Sequence, residues 1–174
     1  MYKDLIVYQQ AVLINDLNVK FLRQFLGEIK YKRTVEQMEQ AERSGKQNIV
    51  EGASTRSLKT QITLTSVARA SYAELLEDYT DFLRARGLTA WLKDDPRLSK
   101  IRQMRILPNS TNSTNLSDWT NTPELFANLM VTLINKETYL LDNMIRSLEK
   151  KFVEEGGYSE NLFNKRLNFR RNNQ

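Results

Sequence analysis

Apolar side chains recur at three- and four-residue intervals over four long stretches of this chain, and each stretch stops at a glycine or a polar cluster. In the first, from about Lys3 to Leu26, Ile14, Leu17, Phe21 and Phe25 form one helical stripe; Leu5, Tyr8, Val12, Val19, Leu22 and Leu26 form a second. Gly27 ends it. The second stretch, from about Thr34 to Ser54, is less apolar. Its inner line reads Val35, Met38, Ala41, Gly45, Asn48 and Gly52, small residues whose spacing lets a neighbouring helix come close. Ser57 is placed to cap a third helix that runs to Arg86 and stops at Gly87. Leu64, Ala68, Ser71, Leu75, Tyr79 and Phe82 line one face of it, and Tyr72, Leu76 and Leu83 widen that face. Thr122-Pro123-Glu124 combines an N-cap oxygen, a proline suited to a first helical position and an acid against the helix dipole. It predicts a fourth long helix over about 123–154, marked by Phe126, Met130, Leu133, Leu140, Met144, Leu148 and Phe152 and stopped by Gly156-Gly157.

Shorter elements fill the remainder. Between Leu88 and Leu107 the pattern contracts: Trp91 and Leu92 read as buried, and Asp95-Pro96 opens a brief helix containing Leu98 and Ile101. The Asn/Ser/Thr tract from Pro108 to Asn115 has nothing to bury and predicts a flexible loop over about 108–121. In the tail, residues 158–174, Ser159 is placed to cap a short amphipathic helix with Leu162, Phe163 and Leu167 on one side. The expected architecture is all-α: one domain, an antiparallel up-down four-helix bundle with a short extra helix and a basic C-terminal tail. The first and third helices carry apolar faces wider than a lone bundle needs, which predicts a homo-oligomer.

Composition narrows the chemistry. Cysteine and histidine are both absent, which removes disulfides, thiolate zinc sites, the commonest general base and the usual partner of a serine nucleophile. A di-metal carboxylate bundle site needs histidine and fails with it. Carboxylate-only metal binding fails on depth: counted from a turn near Ser57, Glu51 and Glu74 sit about 15–17 Å apart along the axis. No metal and no cofactor is therefore expected, and no catalytic residues. Asn48, Glu51, Arg69, Glu74 and Arg43 are read instead as a polar cluster between the second and third helices, fixing their register. The N-terminus does not resemble a signal peptide and no apolar run reaches membrane-spanning length, so a cytoplasmic protein without a membrane partner is expected.

With 26 basic and 21 acidic side chains the net charge is +5, and the excess gathers in two places. One is Arg84, Arg86, Lys93, Arg97, Lys100, Arg102 and Arg105, opposed nearby only by Asp94 and Asp95; the other is Lys165, Arg166, Arg170 and Arg171 of the tail. Gathered on one face, they would contact nucleic-acid phosphates without reading sequence.

Asn48-Ile49-Val50-Glu51-Gly52 followed by Arg56, Ser57 and Lys59, then Ala68, Ala70, Ser71 and Glu74, resembles a family of four-helix-bundle proteins. That family was first recognised as products of intervening sequences in bacterial large-subunit ribosomal RNA genes. Its members show Asn-Ile-Ala-Glu-Gly, a basic residue with Ser-x-Lys, and Ala-x-Gly-Ser-x-x-Glu; Val50 and Ala70 replace the alanine and the glycine. The opening Tyr2-Lys3-Asp4-Leu5 with Val7-Tyr8-Gln9 fits as well. The match spans about residues 2–92, and the insert and basic tail mark an extended variant. Glu39, Gln40 and Glu42 stand where the family has paired arginines. The resemblance implies a protomer that assembles with itself, often as a pentamer, without enzymatic activity. A more distant group, the accessory variability proteins of diversity-generating retroelements, binds nucleic acid through a basic barrel.

The expected function is a non-enzymatic homo-oligomer that binds RNA or DNA through its two basic clusters. The alternative is an assembly or adaptor bundle whose apolar faces bind protein only. An enzyme would need Glu51, Arg56 and Lys59 to converge in a cleft.

Overall fold

The breaks in the hydrophobic pattern become helix ends in the computed structural model, which describes residues 2–103 and 116–172. Four long helices are α1 (Ile6–Phe25), α2 (Lys32–Ser54), α3 (Leu58–Ala85) and α6 (Pro123–Glu155). Between the last two lie α4 (Pro96–Gln103) and the single turn α5 (Ser117–Thr120), and α7 (Tyr158–Asn172) closes the described chain. Among the described residues there is no strand, and the fold is all-α. No helix of the described residues is long and apolar enough to cross a membrane.

Local chemistry explains the boundaries. Ser57 Oγ accepts from Thr60 N at 3.3 Å, and Thr122 Oγ1 accepts from Leu125 N at 3.3 Å with Pro123 at the start of the helix. Each such cap is worth about 1 kcal/mol. Gly87 takes φ +62° just beyond α3, a left-handed conformation that glycine adopts without steric cost. Two boundaries differ from the pattern. The tail helix begins at Tyr158, so Ser159 lies inside its first turn instead of capping it. The end of the expected flexible loop is ordered: α5 packs Trp119 against the core and is tied to α1 by Lys20 Nζ to Thr120 Oγ1 (3.0 Å) and Gln24 Nε2 to Thr120 O (3.2 Å). The Pro108–Asn115 tract lies outside the described residues.

The long helices pack around one core, α1 against α2, α2 against α3, α3 against α6 and α6 against α1. Neighbours run antiparallel. Ser44 faces Ser71 and Gly52 faces Leu64 across α2 and α3, while Phe21 meets Phe126 and Gln10 meets the Leu133 carbonyl across α1 and α6. Where α1, α3 and α6 converge, Phe21 makes edge contacts with Tyr79 and Phe82 at 4.8 Å and with Phe126 at 5.3 Å. Aromatic pairs of this kind add about 0.5–1.5 kcal/mol each to their burial. Deeper in, Tyr79 Oη donates to Asn18 Oδ1 (2.8 Å), and Asn18 Nδ2 donates to Met38 O (3.4 Å).

Gly45 makes the close approach of α2 and α3 possible. A Cβ there would stand 2.7 Å from Cε2 and 2.8 Å from Cζ of the fully buried Tyr72 ring. Of the apolar residues on the first and third helices, Ile6 and Val67 are exposed, while Val12, Val19, Ile62 and Leu64 are half-buried outside the core. Exposed apolar side chains gather further along the chain, at Phe152, Val153, Tyr158, Leu162, Phe163 and Phe169. Leu92 is also exposed, at 81%, because only the neighbouring Trp91 turns inward.

Candidate nucleic-acid interface

The first basic cluster surrounds the C-terminal end of α3, and the protein itself engages several of its cations. Arg84 pairs with Asp81 at 2.6 Å. The Arg86 guanidinium lies 4.0 Å from the Phe82 ring and 5.0 Å from Tyr31. Arg97 grips Asp95 with two nitrogens, at 2.9 and 2.6 Å, and stacks 4.0 Å over Trp91. The hydrogen bonds from Arg97 hold the Asp95 carboxyl down at about 2. Lys93 and Lys100 are exposed and make no ion pair among the described residues. Arg102 belongs to α4. Arg105 lies outside the described residues.

The second cluster is α7. All its residues except the half-buried Leu167 are exposed, and Lys165, Arg166, Arg170 and Arg171 face a single acid, Glu160, in the same helix. The apolar residues do not form the separate side expected of them. Helical spacing puts Tyr158, Leu162, Lys165, Arg166 and Phe169 on one side and Phe163, Leu167 and Arg170 on another, so rings and cations interleave. Chains that bind single-stranded nucleic acid use this combination of aromatic platforms and cations.

The two clusters do not share a face of one protomer. Thr89 and Trp91 donate backbone hydrogen bonds to Glu124 and Asn128 in the first turns of α6, whereas α7 follows its far end at Glu155. From Glu124, where the segment after α3 is bound, to Glu155 the helix runs about 45 Å.

The expected polar cluster between α2 and α3 is not built. Glu51, Glu74, Arg69 and Arg43 are exposed; Glu51 accepts from Gln47 in its own helix at 3.0 Å, and Arg69 pairs with Asp142 of α6. Asn48 donates back to Ser44 O at 2.9 Å. What crosses the α2–α3 seam is the Ser44–Ser71 hydroxyl contact at 2.9 Å. The buried carboxylates are instead Glu42 and Glu137. Burial raises Glu42 to about 7 against the pull of Lys46, and burial raises Glu137 well above the carboxylate range. Tyr72 lies near both and is raised by burial first and by their charges second. Its hydroxyl, Glu42 Oε1 and both Glu137 oxygens have no hydrogen-bond partner. Glu42 also lines a groove of about 720 Å³ between α1 and α2, beside Glu36, Glu39, Arg43 and Lys46. Among the described residues no three carboxylates converge as a metal site would require.

The helical spacing carries the signal for these acids. Glu42 follows Met38 by four residues and precedes Ile49 by seven, and Glu137 sits four residues from both Leu133 and Leu141. No protein-family model, curated protein or solved structure matches this chain.

Proposed function

We propose that the chain is a non-enzymatic helical bundle that associates with copies of itself and binds RNA or DNA, with α7 as its main contact. The observation that carries this reading is α7 itself, a 15-residue helix with four cations, one acid and interleaved exposed rings. Cations so placed neutralise phosphates, and rings so placed stack on bases. Lys93 and Lys100 offer a second contact at the opposite end. Exposed Phe152 and Val153 support self-association. The same proposal makes the chain an extended relative of the ribosomal RNA intervening-sequence bundles, working in the cytoplasm.

A gel shift of single-stranded and duplex oligonucleotides across a salt series tests it. Binding should weaken steeply with salt, and charge reversal of Lys165, Arg166, Arg170 and Arg171 together should flatten the log–log slope by about one for each lost phosphate contact. No shift at low salt overturns the reading. The exposed rings of α7 favour one competitor, a protein adaptor, which predicts co-purification of a single protein without nucleic acid.

A further inference from the structure

Beside the basic end of the bundle, the chain after Gly87 is strapped to α6. The Trp91 backbone N–H donates to Asn128 Oδ1 at 2.9 Å, and Asn128 Nδ2 donates to the Thr89 and Glu124 carbonyls at 2.8 and 2.9 Å. This clasp sets Trp91 against α6, where a recess of about 390 Å³ opens. Trp91, Lys93 and Leu98 line it from the strap and α4; Asn135, Lys136 and Tyr139 line it from α6.

Several features of the recess point to a ligand. The Trp91 ring is fixed by Arg97 stacked at 4.0 Å and by Trp119 meeting it edge-on at 6.0 Å. Tyr139 is 63% exposed, a large ring left in water on a helix that otherwise buries its apolar residues at this level. Lys93 and Lys136 carry no ion pair among the described residues, so the recess repels cations and attracts anions. Asn135 spends its amide N–H on Val131 O at 2.8 Å, which leaves its carbonyl oxygen as an acceptor.

We infer that this recess receives one nucleobase together with its adjoining phosphate. Trp91 and Tyr139 supply the ring contacts, Asn135 an acceptor for a base amine, and Lys93 and Lys136 the phosphate charge. The volume falls within the range of about 300–1,000 Å³ typical of small-molecule pockets. A base paired in a duplex cannot enter, so the ligand is a single-stranded nucleotide or a free one. In its single-strand form the inference rests on the nucleic-acid reading above and adds a site that reads bases, at the end remote from α7.

Tryptophan emission of the full chain, and of a Trp119→Phe variant that leaves Trp91 as sole reporter, tests this in two arms. One titrates adenosine 5′-monophosphate; the other titrates a single-stranded adenine oligonucleotide of about ten nucleotides, with a gel shift in parallel. The expected result is quenching by the strand, weakened about tenfold by Tyr139→Ala and reduced by Lys136→Ala, both exposed positions that leave the core intact. Quenching by the monophosphate alone keeps the pocket and assigns it a free nucleotide, even if the gel shift fails. A strand that shifts the protein without quenching Trp91, and equally well with Tyr139→Ala, overturns the pocket while leaving the binding through α7 standing. No quenching in either arm overturns it outright.

Discussion

Gly45→Ala tests the packing at the centre of the molecule. Alanine is the better helix former by about 0.8–1.0 kcal/mol, so on an exposed helix the change stabilises. Here the new methyl would stand 2.7 and 2.8 Å from two ring carbons of Tyr72, whose side chain is fully buried and has no open space to swing into. Forcing a methyl into a filled core costs about 1–3 kcal/mol, so a net loss of up to about 2 kcal/mol is expected. Gly52→Ala is the internal control: seven residues along the same helix, its methyl would meet Leu64 Cβ at an ordinary 3.4 Å, leaving the helix-forming gain unopposed. Urea unfolding followed by circular dichroism, at one fixed protein concentration because any self-association would add to apparent stability, reads both midpoints. The midpoint should fall for Gly45→Ala and hold or rise for Gly52→Ala. Combining Gly45→Ala with Tyr72→Leu should cost less than the two separate losses together, because the smaller side chain relieves the clash. If Gly45→Ala is more stable than the parent by the full helix-forming gain, the ring does not lie over Gly45.

Glu42 keeps its proton up to about 7 instead of 4.5, so between those pH values the folded chain holds more protons than the unfolded one and stability falls as pH rises. The window corresponds to at most about 3 kcal/mol; Glu42→Gln should reduce that slope and raise stability above pH 7, and an unchanged slope in urea melts across pH would sink the assignment. Asn18→Leu strands the buried Tyr79 hydroxyl and should cost about 1–3 kcal/mol, much of it recovered by adding Tyr79→Phe; additive losses in that double-mutant cycle would refute the contact.

Local chemistry made the ends of the helices legible. Ser57, Thr122-Pro123 and Gly87 act on backbone groups within a few residues, and the structure uses each of them as its neighbours dictate. The interior was harder to read where a residue violated the polar-outside rule. Glu42 and Glu137 occupy apolar stripe positions, yet their type argues for the surface, and attention falls on Glu51 and Glu74, which the structure exposes. The separation of the basic clusters follows from helix order, because α3 ends where α6 begins and the tail follows the other end of α6. The Trp91 recess depends on a turn that brings residue 91 beside residue 139, a pairing that no local pattern encodes.

The buried amide of Asn18 does more than contribute a hydrogen bond. Its oxygen can only accept and its nitrogen can only donate, so it fits one arrangement: Tyr79 of α3 on one end and the Met38 carbonyl of α2 on the other. Leucines tolerate a sliding neighbour, but a slip of α1 by a single turn, about 5.4 Å, would break both contacts together. One side chain therefore works as a three-way register check, satisfied only when α1, α2 and α3 have all arrived at the same level, and it singles out one alignment among the several that apolar packing alone would accept.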